Sequence, residues 1–141
     1  AEYGRYKTFC TQQGLDNHSY VVKYTPWAGL PFCLTPCIIA YHLERGITHW
    51  ILWHDPALVV GDTELSPIED LCKVRQLLGD SAPREDEIVI YQNLPHDRSI
   101  PTIAHSHCFF RPRDDDAGRQ LRGGLAVRDT TWRGQSLWLN R

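Results

Sequence analysis

Two β-rich runs, Cys37–Leu43 and Thr48–His54, flank Glu44-Arg45-Gly46 and are nearly continuous in apolar and aromatic residues. A strand with one wet face alternates apolar and polar side chains, so a run with few polar positions must be covered on both faces. The pair therefore predicts a hairpin at the centre of a sheet, with Gly46 in the left-handed position of its turn. Within the second run, His49, Ile51 and Trp53 share one face, and Trp50, Leu52 and His54 share the other. Both tryptophans are then expected in the core, one on each side.

The flanking segments fit around that centre. Residues 3–13 carry Tyr3, Tyr6, Phe9 and Cys10 at helical spacing before Gly14 and predict a short helix. Tyr20–Tyr24 is β-forming and stops at Thr25-Pro26, which predicts a strand or extended segment. Trp27–Pro36 holds two prolines and a glycine, which predicts irregular chain for most of it. Ser66-Pro67-Ile68-Glu69 is a helix start: serine as cap, proline in the first helical position, and glutamate placed to reach back to the cap. Ile68, Leu71, Cys72 and Leu78 form the expected apolar stripe of that helix, and Gly79 ends it. Glu87–Gln92 and Ile103–Phe110 read as two further strands, joined by a polar loop over 93–102 that contains two prolines. The sum is an α+β domain over 1–113, an antiparallel sheet of four to six strands with one helix inserted after the central hairpin. Beyond it, 114–141 is an Arg/Gly-rich C-terminal extension, expected to pack on the domain or on a partner.

Composition narrows the function classes. In 141 residues the net charge is −2, which gives no long-range pull towards nucleic acid or anionic membrane. No apolar run approaches the ~18 residues of a membrane span, and the first residues lack the apolar core of a signal peptide. The 5 cysteines, at 10, 33, 37, 72 and 108, are an odd number, and Cys72 and Cys108 fall where free cysteine acts as a small buried apolar residue. These features predict a soluble, intracellular protein with reduced thiols.

Chemistry concentrates in Ile103-Ala-His-Ser-His-Cys-Phe-Phe110. Residues two apart on a strand share a face, so His105 and His107 point the same way. Two such rings are a nucleophile and its neighbour, half of a metal site, or a hydrogen-bonded core pair. The loop before them offers Arg98 and Ser99 for charge and orientation at a phosphate, and Arg111 follows the strand on an undetermined side. As metal ligands the pair would be completed by His49 or His96, forming a site for a divalent transition metal. Cys33 and Cys37 resemble half of a structural zinc site but have no second half at ligand spacing.

Three segments resemble a largely fungal, uncharacterised family that includes the N-acetylglucosamine-induced protein. They are Gly46-Ile-Thr-His49-Trp-Ile-Leu-Trp53, then Tyr91-Gln-Asn93, and then Ser99-Ile100 with His105-Ser-His107. More distantly, the order of strand, helix, strand ending in Asn93, polar loop and His-x-His strand is similar to that of histidine-triad (HIT-like) nucleotide hydrolases and transferases. That resemblance implies His105 as the phosphate-attacking nucleophile, His107 as the last histidine of the triad, Asn93 facing a nucleotide and His49 near the site. Ile103 falls where the triad's first histidine would stand, and the usual Gly-Gln before the motif is absent.

Three functional expectations follow. The first is a nucleotide or sugar-nucleotide binding protein performing histidine-mediated nucleotidyl transfer or hydrolysis without a cofactor, with His105 and His107 catalytic and His49, Asn93, Arg98 and Ser99 binding substrate. The second is a non-catalytic binding or assembly subunit that uses Trp132, Trp138 and the arginines of the extension to hold a protein partner. Nucleic acid is disfavoured there because Asp114, Asp115 and Asp116 offset those arginines. The third is a metal-binding protein whose ligands come from His49, His96, His105 and His107.

Overall fold

The structure is a computed structural model that describes residues 8, 10–25, 27, 29–37 and 46–115. Helix α1 spans Asn17–Tyr24, β1 Phe32–Pro36, β2 Thr48–His54, α2 Pro67–Leu78, β3 Ile88–Tyr91 and β4 His105–Phe110. The four strands form one antiparallel sheet in the order β1-β2-β4-β3, so the chain is α+β. Single 3₁₀ turns stand at Gly79–Ser81, Glu85–Glu87 and Pro95–Asp97.

The central strand is the one its composition implies. Thr48–His54 pairs with β1 on one side and β4 on the other, and every residue after Thr48 is buried. Trp50 and Leu52 face α2 with Phe32, Leu34, Val74, Leu78, Ile88, Cys108 and Phe110. Ile51 and Trp53 face the opposite way with Cys10, Tyr20, Val21, Cys37, Ile100 and Ile103. Each large apolar side chain so enclosed contributes roughly 1.5–3 kcal/mol of burial.

Its partner differs from expectation. The strand paired to β2 is Phe32–Pro36, in a stretch expected to be mostly irregular, and the ladder extends through Cys37 N–H donating to His49 O at 2.9 Å. Proline is tolerated there because β1 is at the edge of the described sheet and Pro36 is its last residue. The expected run to Leu43 lies outside the described residues from 38 onward, as do Glu44 and Arg45. Gly46 has φ 91°, the left-handed value expected, and the Arg111 side chain lies where a Cβ would project.

The second difference is at Tyr20–Tyr24, which is helical. Asp16 caps α1 by accepting from Ser19 N–H at 2.8 Å, and the helix buries Tyr20 and Val21 against the sheet. The cap and the buried pair outweigh the weak helix preference of two adjacent valines. Of the helix expected over 3–13, residues 8 and 10–12 are helical, and the rest that lie outside the described residues are 3–7 and 9.

Helix α2 begins and ends as read: Ser66 Oγ accepts from Glu69 N–H at 3.3 Å, Pro67 opens the first turn, and Gly79 closes it at φ 56°. Its buried stripe is different. Ile68 and Cys72 are exposed, and the enclosed positions are Asp70, Val74 and Leu78, one residue per turn. The other strands keep their places with trimmed ends, and the polar loop over 93–102 packs Ile100 against Ile103 and Trp53. No helix among the described residues is long and apolar enough to cross a membrane. All but the first two residues of the 114–141 extension lie outside the described residues.

Candidate functional site

Alternation along β4 sends His105, His107 and Phe109 to the α1 face and Ser106, Cys108 and Phe110 to the α2 face. The register sets His105 opposite Trp53, and His107 between Ile51 on β2 and Tyr91 on β3. His49 lies opposite Phe109, and their rings stack at 4.4 Å between centroids. Tyr91 stacks on His107 at 5.5 Å, and Trp53 tilts against His105 at 4.9 Å. The structure thus brings together His49, Asn93, His105 and His107.

The two histidines of the motif are not equivalent. Both nitrogens of His107 are engaged: Asn93 Nδ2 donates to Nε2 at 3.0 Å, and Nδ1 lies 2.8 Å from His49 Nε2. With the amide donating, the proton of His107 sits on Nδ1 and is given to His49. His105 instead donates Nδ1–H to the carbonyl of Ile103 at 2.7 Å, which places its proton on Nδ1 and leaves a lone pair on Nε2. Among the described residues that Nε2 accepts no hydrogen bond.

Both rings are neutral at pH 7. Burial pushes the His105 imidazole down to about 4, with Arg98 and His54 adding to the drop against the opposing hydrogen bond that the ring donates to Ile103 O. Burial, then the neighbouring charge of His105, pushes His107 down to about 4. The cost of placing a charge in a desolvated site is the physical cause in both.

Arg98 donates Nε–H to Asn93 O at 2.8 Å, which ties the loop to the residue that holds His107. Among the described residues its terminal guanidinium nitrogens form no hydrogen bond or ion pair. Ser99 lines a cleft of about 280 Å³ between the start of α1 and the loop, with Asp16, Asn17, His18 and Thr102 among its walls, and has no hydrogen bond to either histidine of the motif. Arg111 packs over Gly46.

The metal set does not assemble. His96 is three-quarters exposed and pairs with Asp97 at 3.3 Å, away from the motif. Two imidazole nitrogens on one tetrahedral zinc stand roughly 3.3 Å apart at ordinary Zn–N lengths, whereas His49 and His107 are hydrogen-bonded at 2.8 Å. Among the described residues, no three His, Cys, Asp or Glu side chains form a metal-sized group. Cys33 and Cys37 are both buried and in no disulfide, and burial pushes Cys33 up to about 12, leaving it protonated and a poor ligand.

A second polar group sits beneath His105, on the α2 face. Asp70, 1% exposed, accepts from Ser106 Oγ at 2.6 Å through Oδ2. Its Oδ1 lies 3.4 Å from His54 Nε2 and 3.5 Å from Lys73 Nζ, within ion-pair range but without a well-formed hydrogen bond. Sequence reading passed over this group. Its signal was the spacing of Asp70, Val74 and Leu78, which puts a carboxylate on the buried stripe.

No family model matches the chain, and no curated protein matches it. A solved structure described as the crystal structure of HTC1 is similar, with TM-score 0.56 and 16% identity over 90% of this chain and 82% of that one. At that identity the likeness concerns the fold alone.

Proposed function

We propose that this chain binds a nucleotide or nucleotide sugar and that His105 attacks its phosphorus. The observation that carries the reading is the fixed tautomer of His105: a neutral ring with Nδ1–H held by Ile103 O and an unengaged Nε2 lone pair. A phosphoryl centre needs such a neutral nucleophile and a cation for its oxygens, and Arg98 has guanidinium nitrogens to offer. The resemblance to histidine-triad proteins points the same way, with one substitution. Ile103 stands at the first triad position and contributes a backbone carbonyl in place of an imidazole.

In the first step the Nε2 lone pair forms an N–P bond while the P–O bond to the leaving group breaks with its electron pair, and water protonates the leaving oxygen. The ring becomes cationic, and its Nδ1–H bond to Ile103 O strengthens as it does. Water then cleaves the N–P bond, transferring the nucleotidyl group and returning the neutral imidazole. His107, clasped by Asn93 and His49, forms the adjoining wall. The reaction calls on no cofactor.

Thermal melting against nucleotides and nucleotide sugars tests this, together with intact-mass measurement at neutral pH. One class is expected to raise Tm by several degrees and to leave a nucleotidyl adduct, both lost in His105→Ala. Arg98→Ala is expected to weaken binding about tenfold, the loss of about 1.4 kcal/mol. An equal Tm rise in His105→Ala and wild type, with no adduct, would refute the proposal.

A further inference from the structure

The buried group on the α2 face is built around one residue, His105, although it touches the opposite side of the sheet. Two hydrogen-bonded chains start at the Asp70–Lys73 pair and end on the two neighbours of His105. In one, Ser106 Oγ donates to Asp70 Oδ2 at 2.6 Å. In the other, Lys73 Nζ donates to His54 Nε2 at 3.1 Å, which puts the His54 proton on Nδ1, and Nδ1 faces Ala104 O at 3.3 Å. The same carbonyl also accepts His54 backbone N–H at 3.0 Å. Residues 104 and 106 are thus each fixed to one ion pair, with His105 between them facing the other way.

An ionised carboxylate is an expensive way to fasten a helix to a sheet, because apolar side chains of similar volume do so without desolvating a charge. Burial works against the charged form of Asp70, yet the adjoining His54, the hydrogen bond from Ser106 and the charge of Lys73 hold its carboxyl below the ordinary range. What a hydrogen-bonded group supplies and an apolar contact does not is direction. Here the direction is imposed on the segment Ala104-His105-Ser106, whose ring must meet the Ile103 carbonyl.

We propose that Asp70, Ser106, His54 and Lys73 are positioning residues that hold the His105 ring on Ile103 O from the far side of the sheet. This deepens the phosphate-site reading and rests on it for its functional meaning, while its own claim concerns the ligand-free ring. Loss of a chain frees the strand to twist, the Nδ1–H bond weakens, and water reaches the imidazole.

The test is long-range ¹H–¹⁵N correlation of the imidazole nitrogens across a pH titration, without nucleotide, in wild type, Ser106→Ala and Ser106→Thr. Wild type is expected to show His105 as a single Nδ1–H tautomer with a midpoint near 4. Ser106→Ala is expected to show mixed tautomers and a midpoint raised by about one unit or more towards the ordinary 6.5, and Ser106→Thr to restore both. A Ser106→Ala protein that melts earlier but keeps both His105 signatures would overturn the proposal and leave a mere helix fastening. If Ser106→Ala does not fold, Lys73→Met is read in its place, since that side chain is 28% exposed. It removes the chain through His54 and is expected to shift His105 in the same direction, and an unshifted ring again overturns the proposal. Because no nucleotide is present, absent nucleotide binding and absent positioning are separate results.

Discussion

The two faces of this sheet bury imidazoles in opposite ways. On the α1 face, His105 and His107 lie among Trp53, Tyr91 and Phe109 and are kept neutral by desolvation. On the α2 face, His54 is set against an ionised Asp70 and the ammonium of Lys73. One face keeps an imidazole lone pair available, while the other uses charge and direction to hold the strand that carries it. Two histidines on adjacent strands therefore have different chemistry, and the cause is which way the pleat points them.

The largest effect expected from breaking this contrast is on the charged face. Asp70→Ala leaves the Ser106 hydroxyl and the Lys73 ammonium without their buried acceptor, and denaturant titration should show a loss of about 4 kcal/mol.

The neutral face has a pH signature of its own. The unfolded chain protonates its histidines near 6.5, whereas His105 and His107 protonate near 4 in the native state. Between those values the unfolded state binds more protons, so the stability from these rings is complete above pH 6.5 and is lost as the pH falls towards 4. Each ring should account for up to about 3 kcal/mol of this loss by pH 4, and His107→Gln should remove about half of the pair's total. Asp70 is displaced in the same direction but from a lower ordinary value, so its contribution is retained down to 3.8 and lost only below it. Urea midpoints at pH 7, 5 and 3.5 separate the two faces.

Asn93→Asp converts one kind of burial into the other by setting a carboxylate 3.0 Å from His107 Nε2. The His107 midpoint, read by NMR, should rise from about 4 to above 6. Asn93→Ala should cost about 1 kcal/mol for the lost hydrogen bond and leave that midpoint low. Smallest of all, Ile68→Ser should change stability by less than about 0.5 kcal/mol in the same titration, since Ile68 is 78% exposed despite its place in the expected stripe.

Legibility followed the strength of local signals. The run Trp50-Ile-Leu-Trp53 announced a strand buried on both faces, and Ser66-Pro67 with Gly79 announced both ends of α2, because capping and covering are decided within a few residues. Tyr20-Val21-Val22 misled because β-branched residues form either element, and the choice fell to the Asp16 cap and the packing of Tyr20 and Val21. Phe32–Pro36 misled because Pro31 before it and Pro36 at its end argue against a central strand but not against an edge. At the candidate site, the shared face of His105 and His107 was legible from strand parity. Their inequality was not, since it depends on Ile103 O, Asn93 and His49, which come to those rings from a bend, a loop and another strand.

By itself the sequence determined the central strand, the inserted helix with its caps, and the common direction of the two histidines of the motif. Each follows from side-chain chemistry repeating over two to four residues along one segment. Only the tertiary structure decided which ring keeps a lone pair and that a buried carboxylate on α2 grips the far side of the same strand. Those outcomes are set by contacts across 14 to 58 positions of sequence, as from Asn93 to His107, Asp70 to Ser106 and His49 to His107, where no local periodicity carries the information.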